Sequence, residues 1–193
     1  EWETFADLCA WVQEHNSELT WGGNSMSSTT AMIVAQWLDS IGCSINEARM
    51  VTGTGASDFA TKVAGGHVML QVGDIVSAES LIEAGRLKSL GMTPYRHEAY
   101  PDIPVIQESG VEGVENMTIG NGVSLIAPGG LPEEIVQKWN DTLEELYQDE
   151  TFLQEMADLG LMPDYKNSAD FEAFFRENLE TIRAVAEKNN LVH

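Results

Sequence analysis

Phe5, Leu8, Cys9 and Val12 recur at the spacing of an amphipathic helix, and Thr4 with Asp7 reads as a capping box ahead of them. That pattern predicts a helix over 4–16. A short apolar run over 19–23 reads as a strand, and the apolar stretch over 29–41 as a helix ended by Gly42. The alternation then repeats. Strands are expected at 49–52, 67–72 and 87–92, and helices at 57–64 and 75–84, each helix closing on glycine. Strands alternating with helices argue an α/β fold with a mostly parallel sheet and helices on its faces.

The regularity lapses over 94–118, where Pro94, Pro101, Pro104, Gly110 and Gly113 mark turns and an irregular crossing. A further strand is expected at 123–127. Pro132 then sits at the first turn of a helix over 132–148, where its missing N–H costs nothing. Another helix is expected over 151–159. Ser168 caps a last long helix reaching about Lys188.

Composition narrows the function. The 193 residues are 43% hydrophobic, enough for a globular core. Asp and Glu number 31 against 10 Lys and Arg, a net charge of −21. A phosphate-binding surface needs clustered cations, so nucleic acid is excluded as a partner, and an anionic membrane surface is disfavoured for the same reason. No apolar stretch is long enough to span a bilayer. Cys9 and Cys43 can form neither a disulfide framework nor a zinc site alone. A bridge between them is left open, because spacing cannot decide it. No His, Cys, Asp or Glu grouping has metal-ligand spacing, and no cofactor motif is present.

Two loops carry the candidate chemistry. Gly22 to Thr30 is a run of small and polar residues between a strand and a helix. Such a run sets backbone N–H groups at a helix N-terminus, a geometry that suits a carboxylate or phosphate. Ser25, Ser27, Ser28 and Thr29 add hydroxyls. The second loop, Gly53 to Ser57, is of the same kind, with Gly53, Thr54 and Gly55 as its backbone donors. Each loop also reads as an ordinary capped turn. In a parallel sheet both lie at the carboxyl edge, where ligands of open α/β sheets bind. Asp58 and Asp74 lie near these loops and read first as helix caps. Trp21 reads equally as core or as a cleft wall, and His67 as a structural residue or a general base.

Four stretches carry a resemblance. They are 21–28, Trp-Gly-Gly-Asn-Ser-Met-Ser-Ser; Val51 to Gly55 with Ala64-Gly65-Gly66-His67-Val68; 84–92 with Arg96 and 101–110; and 127–133, Ala-Pro-Gly-Gly-Leu-Pro-Glu. The third is the most specific, running Gly85-Arg86-Leu87-Lys88-Ser89-Leu90 and then Pro101-Asp102-Ile103-Pro104, Glu108 and Gly110. In this order the chain resembles the solute-binding receptors of tripartite tricarboxylate transporters, the Bug family.

The resemblance implies a two-lobed, type II periplasmic-binding-protein fold without catalysis or cofactor. It implies capture of a small carboxylate and its delivery to membrane transporter subunits. On the family pattern, 1–120 corresponds to the whole second lobe and 121–193 to the C-terminal part of the first. The first part of the pattern is lacking, which implies a fragment whose missing N-terminal segment carried the signal peptide of a periplasmic protein. Self-association through the uncovered half-lobe is an expected consequence.

The departures bear on the ligand. Ala31 stands where the family often has His; Thr52, Gly53 and Thr54 replace Pro, Tyr and Lys; Met69 replaces Asp. The missing Lys removes a cation from an edge that should meet an anion. Two other classes share the same edge: an α/β enzyme acting on a small acid or phosphate, with His67 as base, and a ligand-sensing domain.

Overall fold

The computed structural model describes residues 2–120 and 122–191. Its chain order is α1 (Phe5–His15), β1 (Thr20–Gly22), α2 (Thr29–Ser40), β2 (Arg49–Val51), α3 (Ala56–Ala64), β3 (Leu70–Gln71), α4 (Glu79–Glu83), α5 (Glu133–Leu146), α6 (Glu150–Asp158) and α7 (Ser168–Lys188). The chain divides into two compact units, Glu1–Gly120 with Thr181–His193, and Asn121–Glu180.

The first unit holds a parallel sheet in the order β2-β1-β3. Trp21 is level with Met50 on one side and Leu70 on the other. Every strand-to-strand connection therefore crosses over by a helix, and the loops that follow β1, β2 and β3 share one edge. The core gathers Leu8, Cys9 and Val12 of α1, most of α2, Leu19, Trp21 and Ile45, with Val114, Met117 and Ile119 from the irregular crossing. Trp21 is fully buried, so it belongs to the core and is not a cleft wall. Cys9 accepts a hydrogen bond from the Trp37 indole at 3.2 Å, and both cysteines are free thiols. Burial pushes both thiols above their ordinary range.

The capping box is present in full. Thr4 Oγ1 accepts from the Asp7 amide at 3.1 Å, and Asp7 accepts from the Thr4 amide at 2.8 Å. Thr4→Ala is expected to cost about 1 kcal/mol, measurable as a lower urea midpoint at unchanged slope.

Four expectations are corrected. The 87–92 strand is absent apart from one parallel bridge, Met92 to Val105. Pro94, Pro101 and Pro104 donate no N–H, so the ladder cannot propagate there. The 67–72 strand shortens to two residues, because the His67 amide is taken by Lys62 O at the end of α3. The 75–84 helix begins only at Glu79. Asp74 accepts from the Ser77 amide and Ser77 Oγ returns to Asp74 O, a local turn that competes with the helix. The 123–127 strand is not formed; its residues have no strand partner among the described residues.

The end of α7 belongs to the first unit, which takes in Thr181–His193. Ala186 and Leu191 enter the core, with Ile182 and Val185 packed against it. Asp39 accepts from Asn189 Nδ2 at 2.9 Å and pairs with Lys188 at 3.1 Å, while Asn46 Nδ2 donates to Asn189 O at 2.9 Å.

The second unit contains α5, α6 and most of α7. Asn140 is its polar hub: its Oδ1 accepts from the Ser168 amide at 3.0 Å and its carbonyl from Tyr165 Oη at 3.0 Å.

Candidate functional site

The two loops begin side by side. The ladder runs one step past β1, with the Gly23 amide donating to Val51 O at 3.1 Å. From there the first loop leads to Ser28, the cap of α2, and the second to Gly55, the cap of α3.

In the first loop most of the polar capacity is spent internally. Ser28 Oγ donates to Ser25 O at 2.7 Å and accepts from the Ala31 amide at 3.2 Å, so it serves wholly as the helix cap. The amides of Ser27 and Ser28 are also taken, by Ser25 Oγ and Ser25 O. The Ser25 and Ser27 hydroxyls pair at 2.9 Å, which leaves one proton between them to donate. Ser25, Met26 and Ser27 line a cavity of about 270 Å³ with Asn46, Asn190 and Leu191. No second-loop residue shares that wall. Thr29 is exposed, and the first-turn amides of Thr29 and Thr30 have no acceptor within the helix. The open donors of this loop thus concentrate at the start of α2.

The second loop is arranged differently. Gly55 takes φ +153° and ψ −179°, a region that only glycine enters readily, and α3 has no side-chain cap. The first-turn amides of Ala56, Ser57 and Asp58 therefore lack an intrahelical acceptor. The Thr54 amide is occupied: it donates to Asp58 Oδ2 at 2.9 Å. The same oxygen receives Lys62 Nζ at 2.8 Å, and Lys62 Nζ also donates to Thr52 O at 3.0 Å.

Sequence reasoning missed Lys62. It found an edge deprived of a cation, whereas α3 returns an ammonium group to that edge from one turn further on. The Asp58–Lys62 spacing of four residues is the readable signal. Glycine is required where this pair meets the turn. A Cβ at Gly53 would lie 2.5 Å from Asp58 Oδ2, 2.5 Å from Phe59 Cε1 and 3.0 Å from Lys62 Nζ.

The hydrogen bond from Lys62, and next that from the Thr54 amide, hold the Asp58 carboxyl below its ordinary value of 3.8. A depressed folded-state value means that the interaction is complete above the ordinary value and is lost as pH falls through the depressed one. The Thr54 amide resonance is expected to stay fixed on going down from neutral pH and to move only below the pH at which an ordinary aspartate titrates.

His67 is exposed in the turn between α3 and β3. It lies three residues ahead of β3 and two before Met69, whose amide donates to Thr20 O at the start of β1. That is the amino edge of the sheet, opposite both loops. The base of the enzymatic alternative and the proposed donors therefore do not share an edge. Among the described residues, no group of three or more His, Cys, Asp or Glu could hold a metal ion.

The profile of the tripartite tricarboxylate transporter family receptor matches residues 2–191. A Cupriavidus necator protein, "UPF0065 protein in gbd 5'region", is 25% identical over 190 residues, 98% of this chain and 56% of its own length. An Agrobacterium vitis UPF0065 protein, from the TAR-I ttuE-ttuC' intergenic region, is 24% identical over 187 residues, 95% and 52% respectively. The chain thus spans about half the length of these curated relatives.

Among solved structures, R. palustris Rpa4515 with adipate aligns at TM-score 0.78 and 22% identity, over 97% of this chain and 61% of that one. MatC (Rpa3494) from Rhodopseudomonas palustris with bound malate aligns at 0.71 and 20%, over 95% and 62%. The periplasmic binding protein BugD aligns at 0.61 and 18%, over 95% and 60%. The fold is that of this periplasmic-binding-protein type. With the profile match running from residue 2 to residue 191, the chain belongs to the tripartite tricarboxylate transporter receptor family.

Proposed function

We propose that this chain is the solute-capturing part of an extracytoplasmic receptor for a small carboxylate, which it delivers to membrane transporter subunits. The observation that carries the reading is the pair of adjoining loops at the carboxyl edge of the parallel sheet, each opening into a helix N-terminus. A helix N-terminus offers aligned N–H groups and a partial positive charge to a carboxylate without needing a cationic side chain. Within this reading the donors are Thr29, the shared Ser25–Ser27 proton, the first-turn amides of α2 and α3, and the backbone of Gly53 and Gly55. Thr54 and Ser28 shape the loops.

The net charge of −21 does not forbid an anion. Its field is screened within about 8 Å at physiological salt, and short-range amide contacts operate inside that distance. It does slow encounter, so the association rate should rise with added salt. Glu1–Gly120 is assigned to one lobe and Asn121–Glu180 to part of the other, with a longer receptor supplying the remaining strands. A periplasmic location follows from the same reading.

The test is a thermal-shift series with adipate, malate, citrate, glutamate and inorganic phosphate. A carboxylate at 100 times its dissociation constant should stabilise the fold by about 2.7 kcal/mol. Stabilisation by adipate or malate and not by phosphate supports the reading. Stabilisation by phosphate alone would contradict it.

A further inference from the structure

The second loop is held on both sides of Gly53 by one ion pair. Asp58 Oδ2 holds the amide of Thr54, and Lys62 Nζ holds the carbonyl of Thr52, while the two side chains hold each other at 2.8 Å. Both are only about one-third exposed or less, at 32% and 28%. The Lys62 ammonium also lies 5.7 Å from the centroid of the Phe59 ring. Phe59 itself is buried against β1 and the second loop: a Cβ at Gly22 would lie 2.7 Å from its Cδ1, and one at Gly53 would lie 2.5 Å from its Cε1. The pair is therefore set on a rigid floor, and the turn that it grips ends in the uncapped N-terminus of α3.

We infer that Asp58 and Lys62 are positioning residues, which fix the Thr52–Gly55 turn and keep the first amides of α3 open to a solute. The consequence for binding rests on the receptor reading above; the grip on the turn does not. Asp58 alone would set a carboxylate beside amides meant for an anion. Lys62 cancels that charge, and its two hydrogen bonds orient the carboxylate toward Thr54. Without the pair, Thr52–Gly55 is a short glycine-containing turn with no side-chain anchor, and ordering it on binding would reduce affinity.

Two readouts test this separately on the full chain. The first needs no ligand: hydrogen exchange at the Thr54 amide, read by NMR. Asp58→Ala and Lys62→Met should each speed that exchange about tenfold or more, while Trp21 and Gly22 in the sheet keep wild-type rates. Lys62→Arg, which preserves the pair, should restore slow exchange. Equal Thr54 exchange in wild type and Asp58→Ala would overturn the inference outright.

The second is titration with adipate and with malate. Where wild type binds either, Asp58→Ala and Lys62→Met should raise the dissociation constant about tenfold, with Lys62→Arg close to wild type. Freed Thr54 exchange with unchanged affinity would overturn the positioning role. A wild type that binds neither probe, yet shows the exchange pattern, would count against the receptor reading for this chain and would uphold the grip on the turn.

Discussion

Trp21→Ala should cost about 3–5 kcal/mol and leave the first unit marginally folded or unfolded. Trp21 is the largest fully buried side chain of the first unit, standing on the central strand β1 with neighbours on both sides. Its ring fills the space over Gly23, where a Cβ would meet Trp21 Cζ3 at 2.5 Å and Met50 Sδ at 3.1 Å. Removing it opens a cavity beneath the strand that launches the first loop. Trp21→Phe should cost far less than its lost volume suggests. The Trp21 indole N–H is buried and has no hydrogen-bond partner among the described residues, so deleting it removes a desolvation penalty as well as contacts. Urea unfolding followed by circular dichroism separates the two variants. A loss for Trp21→Phe as large as that for Trp21→Ala would contradict this expectation.

The second large effect is on association. In the second unit Ile135, Trp139 and Leu146 fall at helical spacing along one stripe of α5, Leu131 lies just ahead of that helix, and all are exposed, Trp139 at 50%. Val123 and Ile126, in the segment that reads as a strand, are 89% and 83% exposed, and Phe175 of α7 is 53% exposed. Exposed apolar residues on an unpaired segment and on a helix face are surfaces that pair with another chain. This chain alone should therefore run above its 21.2 kDa in size-exclusion chromatography with light scattering, increasingly so with concentration. A variant with Val123→Lys, Ile126→Lys and Trp139→Glu should return to 21.2 kDa without losing helix signal. A wild-type chain that stays monomeric at high concentration would show that this face needs no cover.

Much of this architecture was legible in the sequence where local chemistry decides it. The Thr4–Asp7 box, the apolar period of α1 and the small-residue runs ahead of α2 and α3 all lie within a few residues of the structure they produce. What stayed hidden depended on partners distant in sequence. The run from Val123 to Ala127 reads as a strand, yet no strand forms among the described residues, because a ladder needs a second chain segment. The 87–92 run failed for a related reason, since its potential partner is broken by Pro94, Pro101 and Pro104. In the candidate site the sequence located both loops but could not tell an open hydroxyl from an engaged one. Ser28 and Thr29 are adjacent and chemically alike, and only the fold makes the first a cap and leaves the second exposed. The Lys62 ammonium is not legible in the loop itself, because the cation comes from the helix that follows it.

In the proposed receptor a carboxylate is held at the starts of α2 and α3. An amide NMR titration of the assigned chain with malate, and with adipate in parallel, tests it most directly. The largest shifts are expected on Thr29, Thr30 and Gly55 to Ser57, with the core amides of β1 and α1 unmoved. Saturable shifts confined to another surface, such as the groove lined by Gln36, Asn116 and Lys188, or no shifts at millimolar concentrations of either acid, would contradict it.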